Sequence, residues 1–208
     1  HAFGGDVMIR ADAFARVGGY DKRVIAAEDN ELALRLRLAG GKVWHIDHPC
    51  TLHDIAMSHP TQWWQRAKRT GYAYAQVRAL HTSSKEQAFT REYKRTLVWG
   101  AALPSAALGL AVPTLGASLS LFGLYALQAA RVARNTHAKG FSVENSLAWG
   151  ASCALAKVPE TVGLAMYHLD RARGRTPRII EHKRASTKDV TQATLSSPTP
   201  TSRRSRER

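Results

Sequence analysis

The sequence predicts a mixed chain: an α/β layer over residues 1–60, continued by helices apposed to or crossing a membrane. Three observations carry this expectation. Up to residue 60, short apolar runs alternate with helical patterns that end in Gly-Gly pairs. Residues 97–130 contain no charged side chain. That stretch is bracketed by Arg91, Lys94 and Arg95 before it and by Arg131, Arg134 and Lys139 after it.

Within the first zone, the apolar run from Phe3 to Ile9 includes a Gly-Gly turn. Asp12 is placed to cap a helix that runs through Val17 and stops at Gly18-Gly19. Glu28-Asp29 opens a second helix, from Asn30 to Ala39, with Leu32 and Leu36 four apart on one face and Gly40-Gly41 as its stop. Residues 42–47 alternate apolar and polar as a short strand does. Pro49 and Pro60 punctuate the loops around it.

Residues 61–96 predict basic amphipathic interfacial helices. Trp63, Ala67, Tyr74 and Val77 share an apolar stripe, while Arg66, Lys68, Arg69 and Arg78 supply charge. A helix needs ~20 apolar residues to cross a bilayer. The uncharged stretch is long for one crossing and short for two, so residues 97–134 predict a tight transmembrane helical hairpin bending near Pro113 and Gly116. Basic flanks at both ends favour a return to the cytoplasmic side. Residues 135–184 predict an interfacial or re-entrant helical segment, because Lys157, Pro159 and Glu160 interrupt its apolar run. Arg171, Arg173, Arg175 and Arg178 would then meet anionic headgroups at ~1 kcal/mol per charge. Residues 185–208, rich in Ser, Thr, Pro and Arg, predict a disordered basic tail.

Composition narrows the function. With 44% hydrophobic residues the chain can build a core, and a net charge of +14 calls for a polyanionic neighbour such as nucleic acid, anionic lipid or a diphosphate. Nucleic acid is set aside: no zinc-finger, helix-turn-helix or aromatic RNA-binding pattern is present, and the apolar hairpin opposes it. Cys50 and Cys153 form no C-x-x-C pair, so neither a zinc site nor a disulfide framework is read. The opening residues, His1 onward, lack an initiator Met and a signal-peptide pattern, and read as the middle of a longer fold.

The ordered series Gly4-Gly5-Asp6, Arg10, Phe14, Val17-Gly18-Gly19-Tyr20-Asp21, Glu28-Asp29, Glu31-Leu32, Arg35 and Gly40 resembles the second half of the catalytic domain of family 2 glycosyltransferases. The resemblance continues through His53 to His59, Trp63-Trp64 and a late stretch at 179–183. It implies a partial GT-A (nucleotide-diphospho-sugar transferase) domain followed by transmembrane or interfacial helices. It also implies inverting transfer from a nucleotide-diphospho-sugar donor to a sugar or lipid-linked acceptor at the cytoplasmic face of a membrane.

In such a displacement the acceptor hydroxyl is a poor nucleophile, and a carboxylate must take its proton as the new bond forms. The resemblance assigns that role to Asp29, with Glu28 as neighbour or alternate. The residues alone leave a second reading open, in which Asp29 caps its helix. Gly4 and Gly5 would let backbone approach the substrate closely, and Asp6 could bond a sugar hydroxyl; all three equally suit an ordinary turn. Arg66 and Arg69 suit phosphate oxygens, and Trp63 suits a sugar ring or the membrane interface. Mg²⁺ or Mn²⁺ is implied as cofactor. No suitable D-x-D occurs, so its main ligands are expected upstream of residue 1, with His53 as a candidate additional ligand. The order of Gln62, Trp63, Gln65, Arg66 and Arg69 departs from the Q-x-x-R-W pattern of processive members and speaks against processive synthesis. The rival function is a non-catalytic basic membrane-anchoring module that works with a partner chain.

Overall fold

The computed structural model describes residues 3–4, 6–46 and 57–176. Eight α-helices follow one another among them: α1 (Ala11–Arg16), α2 (Glu28–Leu38), α3 (Pro60–Leu80), α4 (Thr90–Leu97), α5 (Leu103–Gly109), α6 (Gly123–His137), α7 (Val143–Leu155) and α8 (Lys157–Ala172). A π-helical turn, Val98–Ala102, joins α4 to α5, and a 3-10 turn, Ala117–Phe122, precedes α6.

The expected α/β layer is overturned: the described part of residues 1–60 carries α1 and α2 but no strand. The alternation at 42–46 and the apolar run at 3–9 find no neighbouring strand to pair their backbone groups. Their side chains stay in solvent, with Met8 98%, Trp44 81% and Ile46 82% exposed. A strand pattern is a local signal, whereas a strand needs a partner to satisfy its N–H and C=O groups. The two helical readings lie close to what is observed, α2 opening at Glu28 and closing before Gly40.

The transmembrane hairpin is also overturned. No helix among the described residues is long and apolar enough to cross a membrane. The uncharged stretch is cut into short pieces for identifiable reasons. Pro104 lacks an N–H and its ring would collide with the carbonyl four residues back; the π turn just before it widens the helix at that point. Leu115 (φ 49°) and Gly116 (φ 86°) then take left-handed backbone and reverse the chain.

The strongest packing is antiparallel, α3 on α8 and α6 on α7. Both contacts run through glycine. A Cβ at Gly71 would lie 1.8 Å from the Glu160 carbonyl oxygen, and one at Gly163 would lie 1.8 Å from that of Lys68. Gly150 of α7 meets the Ala129 carbonyl of α6 in the same way, at 2.3 Å. The core between α3 and α8 consists of Ile25, Tyr72, Ala75, Leu164 and Tyr167, with the two tyrosine rings edge to face at 5.3 Å. Burial raises the Tyr72 hydroxyl to about 12.

Caps fix the ends of these helices. Pro60 stands in the first turn of α3, where its missing N–H is not needed. The Gln62 side-chain oxygen accepts from the Ser58 and His59 amides, 2.8 and 3.0 Å away. Ser142 caps α7 by accepting from the Asn145 amide. Near the start of α8, Lys157 and Glu160 form an ion pair of 2.5 Å, and Thr96 Oγ1 donates to the same carboxylate at 2.8 Å. The charges that interrupt the second apolar stretch are therefore partners within α8, and Thr96 of α4 joins them.

Gly71→Ala and Gly163→Ala test the helix contact. Each adds one methyl against backbone and is expected to cost about 3 kcal/mol or more, since overpacking against rigid neighbours exceeds the ~1 kcal/mol that Ala gains over Gly in a helix. Gly109→Ala, where nothing lies within 4 Å of the new Cβ, is expected to leave stability unchanged or raise it. Urea unfolding followed by circular dichroism separates the two outcomes.

Candidate functional site

The Glu28-Asp29 pair stands in the first turn of α2, both side chains half-buried. Asp29 is not the cap: Ala27 holds that position, in left-handed backbone at φ 61° and without a side-chain cap. Instead, Tyr20 Oη donates to Asp29 Oδ1 at 3.0 Å. Burial and the neighbouring carboxylates raise the Tyr20 hydroxyl, so it remains a donor.

The loop that leads into α2 is held against α3. Arg69 Nε donates to the Ile25 carbonyl at 3.0 Å. Gln76 makes two bonds: its side-chain oxygen accepts from the Ile25 amide at 3.1 Å, and its Nε2 donates to the Arg23 carbonyl at 2.7 Å. The loop thus keeps the strained Ala27 and the two carboxylates after it in register with α3. Asp21 closes the same loop through Arg23, at 2.6 Å.

One turn into α2, Glu31 is 1% exposed and is compensated from two sides. Arg35 grips both carboxylate oxygens at 2.7 and 2.6 Å while donating from Nη1 to the Val17 carbonyl, and His81 at the end of α3 lies 2.8 Å from Oε1. Arg37 pairs with Glu86 at 2.7 Å. Through these contacts α2 is tied to α1 on one side and to the segment after α3 on the other.

A separate cavity of about 520 Å³ opens between α3, α4, the π turn, α6, α7 and the start of α8. Trp63 and Arg66 line it from α3, together with Trp99, Arg95 and Trp149 from elements far along the chain. Trp63 Nε1 donates to Ser152 Oγ at 2.7 Å, which ties α3 to α7 across one wall.

The structure thus sorts the residues singled out from the sequence into two places. Glu28, Asp29 and Arg69 belong to the α2 region, where Arg69 binds backbone. Trp63 and Arg66 belong to the cavity. Gly4 and Asp6 are exposed at the start of the chain; the Asp6 amide donates to the Gly4 carbonyl at 2.7 Å, and nothing crowds a Cβ at Gly4. Gly5, His53, the stretch at 179–183 and the tail at 185–208 lie outside the described residues. Among the described residues no group of three or more His, Cys, Asp or Glu is placed to hold a metal ion, so they supply no ligand set for Mg²⁺ or Mn²⁺ and no step here is routed through one.

Sequence reasoning missed Gln76, His81 and the glycine contacts. The i,i+4 spacing of Glu31 and Arg35 on a predicted helix was a usable signal for their pair; nothing local marks Gln76 or His81. No family model matches this chain, and neither a curated protein nor a solved structure matches it.

Asp21 gives a pH test of the loop. Hydrogen bonds from Arg23 hold its carboxyl down from an ordinary 3.8 to about 2. A depressed carboxyl stabilises the fold above its unfolded value and loses that contribution as pH falls through its folded value. The stability difference between the parent and Asp21→Asn is therefore expected to be constant above pH ~4 and to shrink towards zero near pH 2. A difference that stays flat down to pH 2 in thermal melts contradicts the Arg23 pairing.

Proposed function

We propose that this chain supplies the acceptor-side carboxylates of an inverting sugar transferase, with Asp29 as general base and Glu28 beside it. The observation that carries this reading is the fixed placement of the pair: two half-buried carboxylates at a helix N-terminus, behind a loop clamped to α3 by Arg69 and Gln76. Asp29 Oδ1 accepts from Tyr20, which orients the carboxylate while a second oxygen can take a proton from a bound hydroxyl. The proton passes from the acceptor hydroxyl to Asp29 as the new C–O bond forms and the nucleoside diphosphate leaves with the bonding electron pair. The nucleotide-diphospho-sugar and any Mg²⁺ or Mn²⁺ are held by residues outside those described. The acceptor is a sugar or lipid-linked hydroxyl at the cytoplasmic face of a membrane.

A second reading, a basic membrane-anchoring module without chemistry, is favoured by a different observation. Val112 is 85% and Leu115 97% exposed in the uncharged stretch, with Leu127 at 67% close behind. Apolar side chains so displayed suit the acyl boundary of a bilayer surface. Both readings share that contact with lipid and differ in whether Asp29 matters.

Asp29→Asn and Glu28→Gln separate them, measured as sugar transfer from nucleotide-diphospho-sugar donors in the full gene product. Asp29→Asn keeps size and the bond from Tyr20 but cannot accept a proton, and turnover is expected to drop by ~10²- to 10⁴-fold with donor binding little changed. A large loss in Glu28→Gln with a modest one in Asp29→Asn transfers the role to Glu28. Full turnover in both variants sinks the catalytic reading and leaves the anchoring module.

A further inference from the structure

We propose that the cavity beside Trp63 binds the phosphate headgroup and first acyl segment of an anionic lipid, a role that stands whether or not Asp29 transfers sugar. At about 520 Å³ it falls within the usual range of small-molecule sites. Its charged lining is asymmetric. Lys157 and Glu160 neutralise one another at 2.5 Å, which leaves Arg66 and Arg95 facing the single carboxylate of Glu92. Both arginines are exposed, and among the described residues neither makes an ion pair. Two guanidinium groups at a mouth suit a phosphate monoester, whose oxygens accept in pairs.

Two polar groups of the lining are already engaged within the protein. The Trp63 indole N–H is spent on Ser152, and the Thr70 hydroxyl is donated to the Arg66 carbonyl. What remains is mostly apolar, led by Trp99, Val132 and Trp149, with Tyr74 and Gln128 as further polar side chains. A second cavity of about 590 Å³ shares Trp99 and Gln128 with the first and continues along α6 past Leu124 and Leu127 to Arg131 and Arg134. Those leucines are 38% and 67% exposed. Joined at Trp99 and Gln128, the two cavities bring Arg66 and Arg95, three tryptophans and the leucines of α6 together, and the second ends at Arg131 and Arg134. A headgroup with a tail matches that set of environments; an inorganic anion fills only its basic part.

The test uses the full chain and short-chain lipids below their micelle-forming concentrations, followed by calorimetry and tryptophan fluorescence. Dihexanoyl phosphatidic acid is expected to bind with one-to-one stoichiometry, to change tryptophan emission, and to bind about tenfold or more tightly than dihexanoyl phosphatidylcholine. Inorganic phosphate and uridine monophosphate, which lack the tail, are expected to bind more weakly than phosphatidic acid by a similar factor. Arg66→Gln with Arg95→Gln should remove the preference for phosphatidic acid while circular dichroism stays unchanged. Equal affinity for the two lipids overturns headgroup recognition. Inorganic phosphate or the nucleotide binding as tightly as phosphatidic acid overturns the lipid assignment in favour of that ligand. Unaltered binding in the double variant places the lipid elsewhere and overturns the site.

Discussion

The distance between α3 and α8 is set by backbone touching backbone at Gly71 and Gly163, and much of the remaining architecture depends on it. With any side chain at those positions the helices would stand further apart, and the edge-to-face contact of Tyr72 with Tyr167 would open. The antiparallel run, Lys68 and Gly71 against Gly163 and Glu160, also decides which faces of α3 remain for other partners. One carries Arg69 and Gln76 to the loop before α2, and another carries Trp63 and Arg66 to the cavity. A close contact between two helices thus positions both regions for which a function is proposed.

Two buried carboxylates show how the fold handles charge. Glu31 and Glu160 are 1% and 6% exposed, and each is met by a cation and by a further hydrogen-bonding group. A buried ion pair offsets its desolvation only when geometry and extra hydrogen bonds are good, so its net contribution to stability is small. Its effect on structure is larger, because an orphaned buried charge costs several kcal/mol and alternative packings that separate the partners are excluded. Glu31 locks α2 to Val17 through Arg35 and to α3 through His81. Glu160 locks α8 to α4. Between them, four helices are held in one register by groups that occupy little core volume.

What was legible in the sequence was local. The stops at Gly18-Gly19 and Gly40-Gly41 and the acidic start of α2 depend on residues within a turn or two, and these match the structure closely. The strand reading fails over 42–46, where among the described residues no neighbour supplies the pairing a strand requires. The transmembrane hairpin failed because hydropathy averaged over residues 97–130 says nothing of where Pro104, Leu115 and Gly116 break the helix. At the candidate site, the Glu28-Asp29 pair was visible because its chemistry lies in two adjacent residues. Gln76, fifty-one residues from the amide it accepts from, was not visible. Arg69 was visible as a charge, yet its bond to the Ile25 carbonyl rests on a loop that only the tertiary fold brings near.

The absence of a spanning helix among the described residues changes what the uncharged stretch can do. A continuous helix would bury its leucines in hydrocarbon and satisfy its own backbone. The observed chain, broken into a π turn, α5 and a 3-10 turn, displays Leu108, Leu110, Val112 and Leu115 at a reversal of the chain. Irregular backbone of this kind is not tolerated facing the bilayer centre, where unsatisfied amides cost several kcal/mol each, but it is tolerated at the headgroup boundary where water reaches it. If these leucines meet lipid, they do so at shallow depth. That depth is the level at which phosphates lie, and arginines line both cavities, Arg66 and Arg95 the first and Arg131 and Arg134 the second. The proposed headgroup capture rests on the same broken helix, which leaves Leu124 and Leu127 of α6 exposed next to Trp99.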